Sequence, residues 1–101
     1  MRIDAHVHFW RYRPDEYAWI DGRMGALQRD FLPDDLEPQA RRLAFDGAIA
    51  VQARQTEAET AWLLELAARH PFVRGVVGWV DLRARDVRDA LSRAAADRRL
   101  V

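Results

Sequence analysis

The run Ile3-Asp4-Ala5-His6-Val7-His8 alternates apolar and polar positions with a period of two, the pattern of a strand that buries one face. A strand over about residues 2–8 then carries Asp4, His6 and His8 on one side and Ile3, Ala5 and Val7 on the other. Ala48-Ile49-Ala50-Val51-Gln52-Ala53 and the stretch from Val73 to Leu82 are apolar at most positions, as strands covered on both faces are. They predict strands over about 48–53 and 73–82. Gly75 and Gly78 mark a bend or a close backbone approach in the latter. Within 48–53, Ile49 and Val51 form a bulky face, and Ala48, Ala50 and Gln52 form the small one expected on the inner wall of a barrel beneath a site.

Between these strands the period changes. Trp62, Leu63, Leu66 and Ala67 recur at helical spacing, as do Val87, Ala90, Leu91, Ala94 and Ala95, predicting helices over about 57–70 and 85–98. Thr56 followed by Glu59 reads as a capping box, and Pro71 stops the helix. A shorter helix is predicted over about 36–44. Asp34 and Asp35 suit its positive end, Arg41 and Arg42 its last turn, and Gly47 the position just past it. Proline is tolerated within a first turn, so Pro38 puts the start near Glu37. Strands alternating with helices imply an α/β fold with a parallel sheet and right-handed crossovers. Three such units leave two open sheet edges.

From Phe9 to about Leu32 no period holds. Loops of this length inside compact domains are functional or disordered, and this one carries Trp10, Tyr12, Tyr17 and Trp19. The aromatics imply an ordered loop, either a lid over a ligand or a satellite cluster in which Trp10, Tyr17 and Trp19 pin it down.

Composition narrows the class. With 101 residues, half of them apolar and 32% charged, the chain suits one small globular domain rather than a disordered segment. Formal net charge is zero, with sixteen basic residues, all Arg, against sixteen acidic ones. Nothing here favours nucleic acid or an anionic membrane as partner. The absence of cysteine excludes disulfides and thiolate metal sites. No apolar leader or run of roughly 18 apolar residues occurs, and a cytoplasmic location is expected.

The chemistry concentrates at His6 and His8. Side chains two apart on a strand stand about 7 Å apart at their bases, within reach of one metal ion, with Asp4 on the same face as a supporting carboxylate. Two solvated histidines on an edge strand would show the same spacing. Gln52 can exchange hydrogen bonds with a substrate hydroxyl or with loop backbone. Trp79 is a core residue or a substrate platform, and Asp81 a substrate contact or the cap of the turn that follows. Trp10 and Arg13, close after the histidines, can reach a ligand bound there. His70 ends a helix at the opposite end of the sheet, a structural position.

Asp4-Ala5-His6-Val7-His8-Phe9-Trp10 resembles the opening strand of the amidohydrolase superfamily. Gln28-Arg29-Asp30-Phe31, Val51-Gln52-Ala53, Glu59-Thr60-Ala61-Trp62-Leu63-Leu64 and the run from His70 to Leu82 narrow the resemblance. They are similar to the amidohydrolase-related branch of sugar-acid lactonases (fuconolactonase and rhamnonolactonase types) and 2-pyrone-4,6-dicarboxylate hydrolase. The resemblance implies a (β/α)8 TIM barrel of the metal-dependent-hydrolase type, of which residues 1–101 hold the first three βα units, an N-terminal fragment of one barrel domain. It further implies His6 and His8 as metal ligands, zinc first among divalent ions, although some family members work without metal. A lactone or cyclic carboxylate is the implied substrate. The base that takes a proton from the attacking water falls outside this stretch, so the fragment alone is expected to bind zinc weakly and not to catalyse. The rival expectation is a partial-barrel relic that self-associates through its open edges and binds ligand or metal without turnover.

Overall fold

The computed structural model describes residues 1–101. Three strands, β1 (Ile3–Val7), β2 (Gly47–Val51) and β3 (Val73–Val77), pair in the order β1-β2-β3, all parallel. Helices α1 (Pro33–Arg42), α2 (Glu57–Arg69) and α3 (Val87–Ala95) fill the connections. The chain is thus an α/β fold of successive βα units.

The core lies between the sheet and α2. Leu63, Leu64, Leu66 and Ala67 pack on Phe9, Ala50, Val73 and Val76, and full burial of each large side chain is worth about 1.5–3 kcal/mol. A second cluster, Ala40, Ala48 and Phe72, seats α1. Ala48 and Ala50 are both fully buried, so the small face of β2 meets the helices. This inverts the expected assignment. Methyl side chains let the helices approach the sheet closely, while Ile49 and Val51 stand half-exposed on the other face, which His6 and His8 also occupy.

Strand β1 departs from strict alternation. Asp4 pairs with Ala48 but Val7 with Ala50, so three steps of β1 match two of β2, the mark of a β-bulge. The extra residue moves Asp4 out of phase with the two histidines. By register it falls with Val7 on the helix side, correcting the expectation of one shared face.

Other boundaries also move. Helix α1 begins at Pro33, whose missing N–H costs nothing at a first position, and Asp35 reaches back to accept the Leu32 N–H at 2.9 Å. Pro38 therefore lies inside the helix, exposed, where solvent can satisfy the carbonyl left without a partner. Strand β2 stops at Val51 and β3 at Val77, well short of Leu82. Helix α3 is confined to Val87–Ala95. After it, Val76 N–H donates to Arg99 O at 2.8 Å and Val101 N–H to Val76 O at 3.0 Å. A parallel bridge between Val76 and Leu100 thus occupies part of the edge of β3, while the outer edge of β1 has no strand beside it. No helix is long and apolar enough to cross a membrane.

The loop after β1 is an ordered satellite cluster. Trp10 and Phe31 form an antiparallel bridge, each N–H donating to the other's carbonyl at 3.0 and 2.9 Å. Trp10, Tyr17 and Ile20 are buried together against Tyr12, Met24, Leu27 and Phe31, and a 3-10 turn runs from Gly22 to Leu27. Trp19, expected among the pins, is 48% exposed. It meets Trp10 edge-on at 5.9 Å, and Ile20 takes the buried place.

Past β3 the backbone leans on α2. Thr60 Oγ1 accepts the Trp79 N–H at 2.7 Å and donates to Trp79 O at 2.9 Å. A Cβ at Gly78 would lie 2.4 Å from Thr60 Cγ2, so only glycine permits this contact. Gly78→Ala should therefore destabilise the chain by about 1–3 kcal/mol in urea unfolding. Adding Thr60→Ser, which removes the clashing methyl, should recover part of the loss. A neutral Gly78→Ala would show that Thr60 yields freely.

Candidate functional site

At the C-terminal end of β1 the two imidazoles converge. His6 Nε2 and His8 Nε2 are 3.3 Å apart, with the rings nearly perpendicular, centroids 5.0 Å apart. His8 Nδ1 lies 2.9 Å from the Val51 carbonyl oxygen. A carbonyl only accepts, so Nδ1 carries the proton, and the Nε2 lone pair of His8 is left facing His6. Two nitrogens each about 2.0–2.1 Å from one tetrahedral zinc stand roughly 3.3–3.4 Å apart, and the pair has that separation. The donor chemistry and spacing fit a divalent ion. No third His, Asp, Glu or Cys completes a three-ligand group, so the chain presents half of a metal site.

Asp4 accepts the His6 backbone N–H at 3.1 Å. Its carboxylate braces the bulge, and it is the Val51 carbonyl, not Asp4, that orients an imidazole. Gln52 lies one residue beyond β2, half-buried, its N–H donating to Val77 O at 2.8 Å. This keeps its amide at the same end of the sheet as the histidines.

Four other expected residues are placed as follows. The Trp10 indole is buried, its N–H donating to Arg29 O at 2.9 Å and Leu27 O at 3.3 Å, so it anchors the loop and has no free face for a ligand. Trp79 lines a cleft of about 300 Å³ with Thr60, Leu64 and Ala90, between α2 and α3 on the helix side. Asp81 accepts the Arg83 N–H at 2.9 Å and so caps its turn. Arg13 is exposed on a pocket of about 170 Å³ with Arg11, Tyr17, Arg54, Glu59 and Trp62. At the far end of α2, His70 faces Asp34 at 3.5 Å.

One residue near the site carried only a capping signal in the sequence. Glu59 is 4% exposed. Its backbone N–H donates to Thr56 Oγ1 at 3.1 Å, half of the expected capping box. Its carboxylate turns instead to Ala53 and Arg54, accepting both N–H groups at 3.0 Å. Burial pushes this carboxyl above its ordinary range, against the opposing pull of those backbone bonds and of the charge on Arg54. Nearby, burial, with Glu59 and Glu16 adding to it, pushes the Tyr17 hydroxyl up to about 12, and Arg54 only partly offsets this.

An L-fucono-1,5-lactonase of Burkholderia multivorans is 55% identical over 84 residues, covering 83% of this chain and 28% of its own length. An L-fucono-1,5-lactonase of Burkholderia ambifaria is 41% identical over 97 residues, 96% of this chain and 33% of that protein. The crystal structure of an amidohydrolase from Burkholderia multivorans with bound zinc superposes with a TM-score of 0.87 at 50% identity, over 91% of this chain and 32% of that one. The chain spans about a third of the length of these relatives, matching the N-terminal part of their barrels. The family model described as amidohydrolase matches residues 3–101, and the chain belongs to that family.

Proposed function

We propose that these residues form the opening portion of a lactone hydrolase, and that His6 and His8 are two of the ligands of its divalent ion, zinc in the first instance. The observation that carries this reading is the Nε2 pair 3.3 Å apart, with His8 held in the ligating tautomer by Val51. The names of the relatives direct the substrate class to a cyclic ester of a sugar acid. A bound divalent ion supplies Lewis acidity toward a lactone carbonyl and an attacking water.

The chain's own residues do the rest of what this portion contributes. His8 offers an unprotonated Nε2 at the strand end, where barrels of this kind place their chemistry, and His6 Nε2, which donates to it at 3.3 Å, would join it as a ligand on giving up that proton. Gln52, at the same end of the sheet, donates to or accepts from a substrate hydroxyl, and Arg13 meets a carboxylate at the rim. Trp10 and Asp81 act through the backbone they hold, Asp4 through the bulge, and Trp79 through the cleft it lines between α2 and α3. In a family member that dispenses with metal the same imidazoles would polarise the carbonyl directly. The remaining ligands and the base belong to later units of the barrel, so the 101 residues by themselves do not turn over substrate. Cytoplasm is the proposed location.

A second reading has the unpaired outer edge of β1 behind it: a partial barrel that self-associates and binds metal or ligand without catalysis. A compact, defined oligomer in size-exclusion chromatography would favour it over a monomer.

Zinc titration of the 101-residue chain, followed by imidazole NMR, should shift His6 and His8 together and leave His70 in place, and His6→Ala should abolish the saturable response. Movement of His70 alone would remove the proposed ligand pair. Joined to the remaining units of a related barrel, the chain should support hydrolysis of a sugar-acid 1,5-lactone, and His8→Ala should abolish it. Alone, it should show none. Hydrolysis by the 101 residues that His6→Ala abolishes would overturn the claim that they cannot turn over unaided.

A further inference from the structure

We infer that Glu59 is the positioning residue for His8: its carboxylate locks the backbone leaving β2 and so holds the Val51 carbonyl that selects the Nδ1-protonated tautomer of His8. The inference rests on the reading of His8 as a ligand and adds the group that prepares it.

Three successive peptide planes carry the effect. The plane joining Val51 to Gln52 is held on both sides of the strand. Its N–H goes to Val77 O on β3 at 2.8 Å, and its carbonyl meets His8 Nδ1 at the end of β1, 2.9 Å away. The next two N–H groups, of Ala53 and Arg54, have left the sheet and find no strand to bond. Glu59 takes both, its Oε1 3.0 Å from each and its Oε2 3.1 Å from Ala53 N.

A carboxylate is costly to bury without partners, and helix capping does not require this one. The Thr56 hydroxyl already satisfies the Glu59 N–H, and a complete capping box would send the carboxylate back to the Thr56 N–H. Glu59 reaches past that group to the strand end. Without that carboxylate, the Ala53 and Arg54 N–H groups lose their acceptor; Gln52 N–H still holds Val77 O and Arg54 still pairs with Glu16 at 3.5 Å, but no bond to the backbone N–H groups of Ala53 and Arg54 then resists rotation of the carbonyl that faces His8.

Reach, rather than charge, is the property required. Glu59→Gln keeps the length of the side chain and one oxygen able to accept from both amides. Glu59→Asp keeps the charge and withdraws the carboxylate by one methylene. Nitrogen-15 NMR of the imidazoles in the metal-free 101-residue chain reads the tautomer, and amide hydrogen exchange at Ala53 and Arg54 reads the anchor. Wild type and Glu59→Gln should show His8 protonated at Nδ1, with both amides protected. Glu59→Asp should lose that protection and admit the Nε2-protonated tautomer that a free imidazole prefers.

Retention of the wild-type tautomer in a folded Glu59→Asp chain would overturn the inference, as would equal loss in both variants. If Glu59→Asp fails to fold, Glu59→Gln decides: protected amides with His8 protonated at Nδ1 sustain the inference, and a switch to Nε2 ends it. The readout involves no metal. A chain that ignores zinc but follows this pattern would remove the ligand reading and keep the positioning role, while zinc binding with an indifferent tautomer would do the reverse.

Discussion

Strand β2 is the one strand paired with another strand on both sides, and the rest of the molecule is arranged by what it can tolerate. It lies between β1 and β3 and under the helices, so its buried face has room only for Ala48 and Ala50. The helices close over those methyls, and Phe9, Leu63 and Phe72 fill the space beside them. Its upper end then serves three neighbours within four residues: Val51 O meets His8, Gln52 N–H meets Val77, and the amides of Ala53 and Arg54 meet Glu59. The start of α2 grips both neighbouring strand ends, since Thr60, one residue past Glu59, holds Trp79 beyond β3.

Element types were legible because the periods of two and of three to four are long and clean in Ile3–His8 and in Glu57–Arg69. Three things were not. Alternation cannot say which of two apolar faces goes inward, and the small face of β2 proved to be the one that lets helices approach. A bulge leaves no mark in a pattern of two, so Asp4 read as a companion of the histidines when register carries it to the other side. Strand ends were overextended because Trp79 and Val80 look like strand residues. The lock between Gly78 and Thr60 that takes the chain out of the sheet is a contact between residues far apart in sequence.

The candidate site divides along the same line. His6 and His8 are two residues apart, and their convergence follows from local geometry, so the sequence displayed it. The carbonyl that fixes the tautomer lies forty-three residues from His8. Glu59 offered only a capping spacing, and its true partners are the amides of a loop that no local rule assigns to it. Trp10 shows the opposite error: an aromatic just after two histidines looks like a ligand contact, but its indole N–H is already used by two carbonyls.

That same indole, with the Trp10–Phe31 bridge, closes residues 11–30 into a loop pinned at its neck. The entropy of closing a loop grows only with the logarithm of its length, about 0.6 kcal/mol for each doubling. With the neck fixed by two backbone bonds and a buried ring, insertions or deletions beyond it transmit little to the strand below. Apart from Glu16 and Tyr17, which meet Arg54 and Ala53, the most irregular segment of the chain is therefore free to diverge in length and lining while the pair beneath it keeps its spacing.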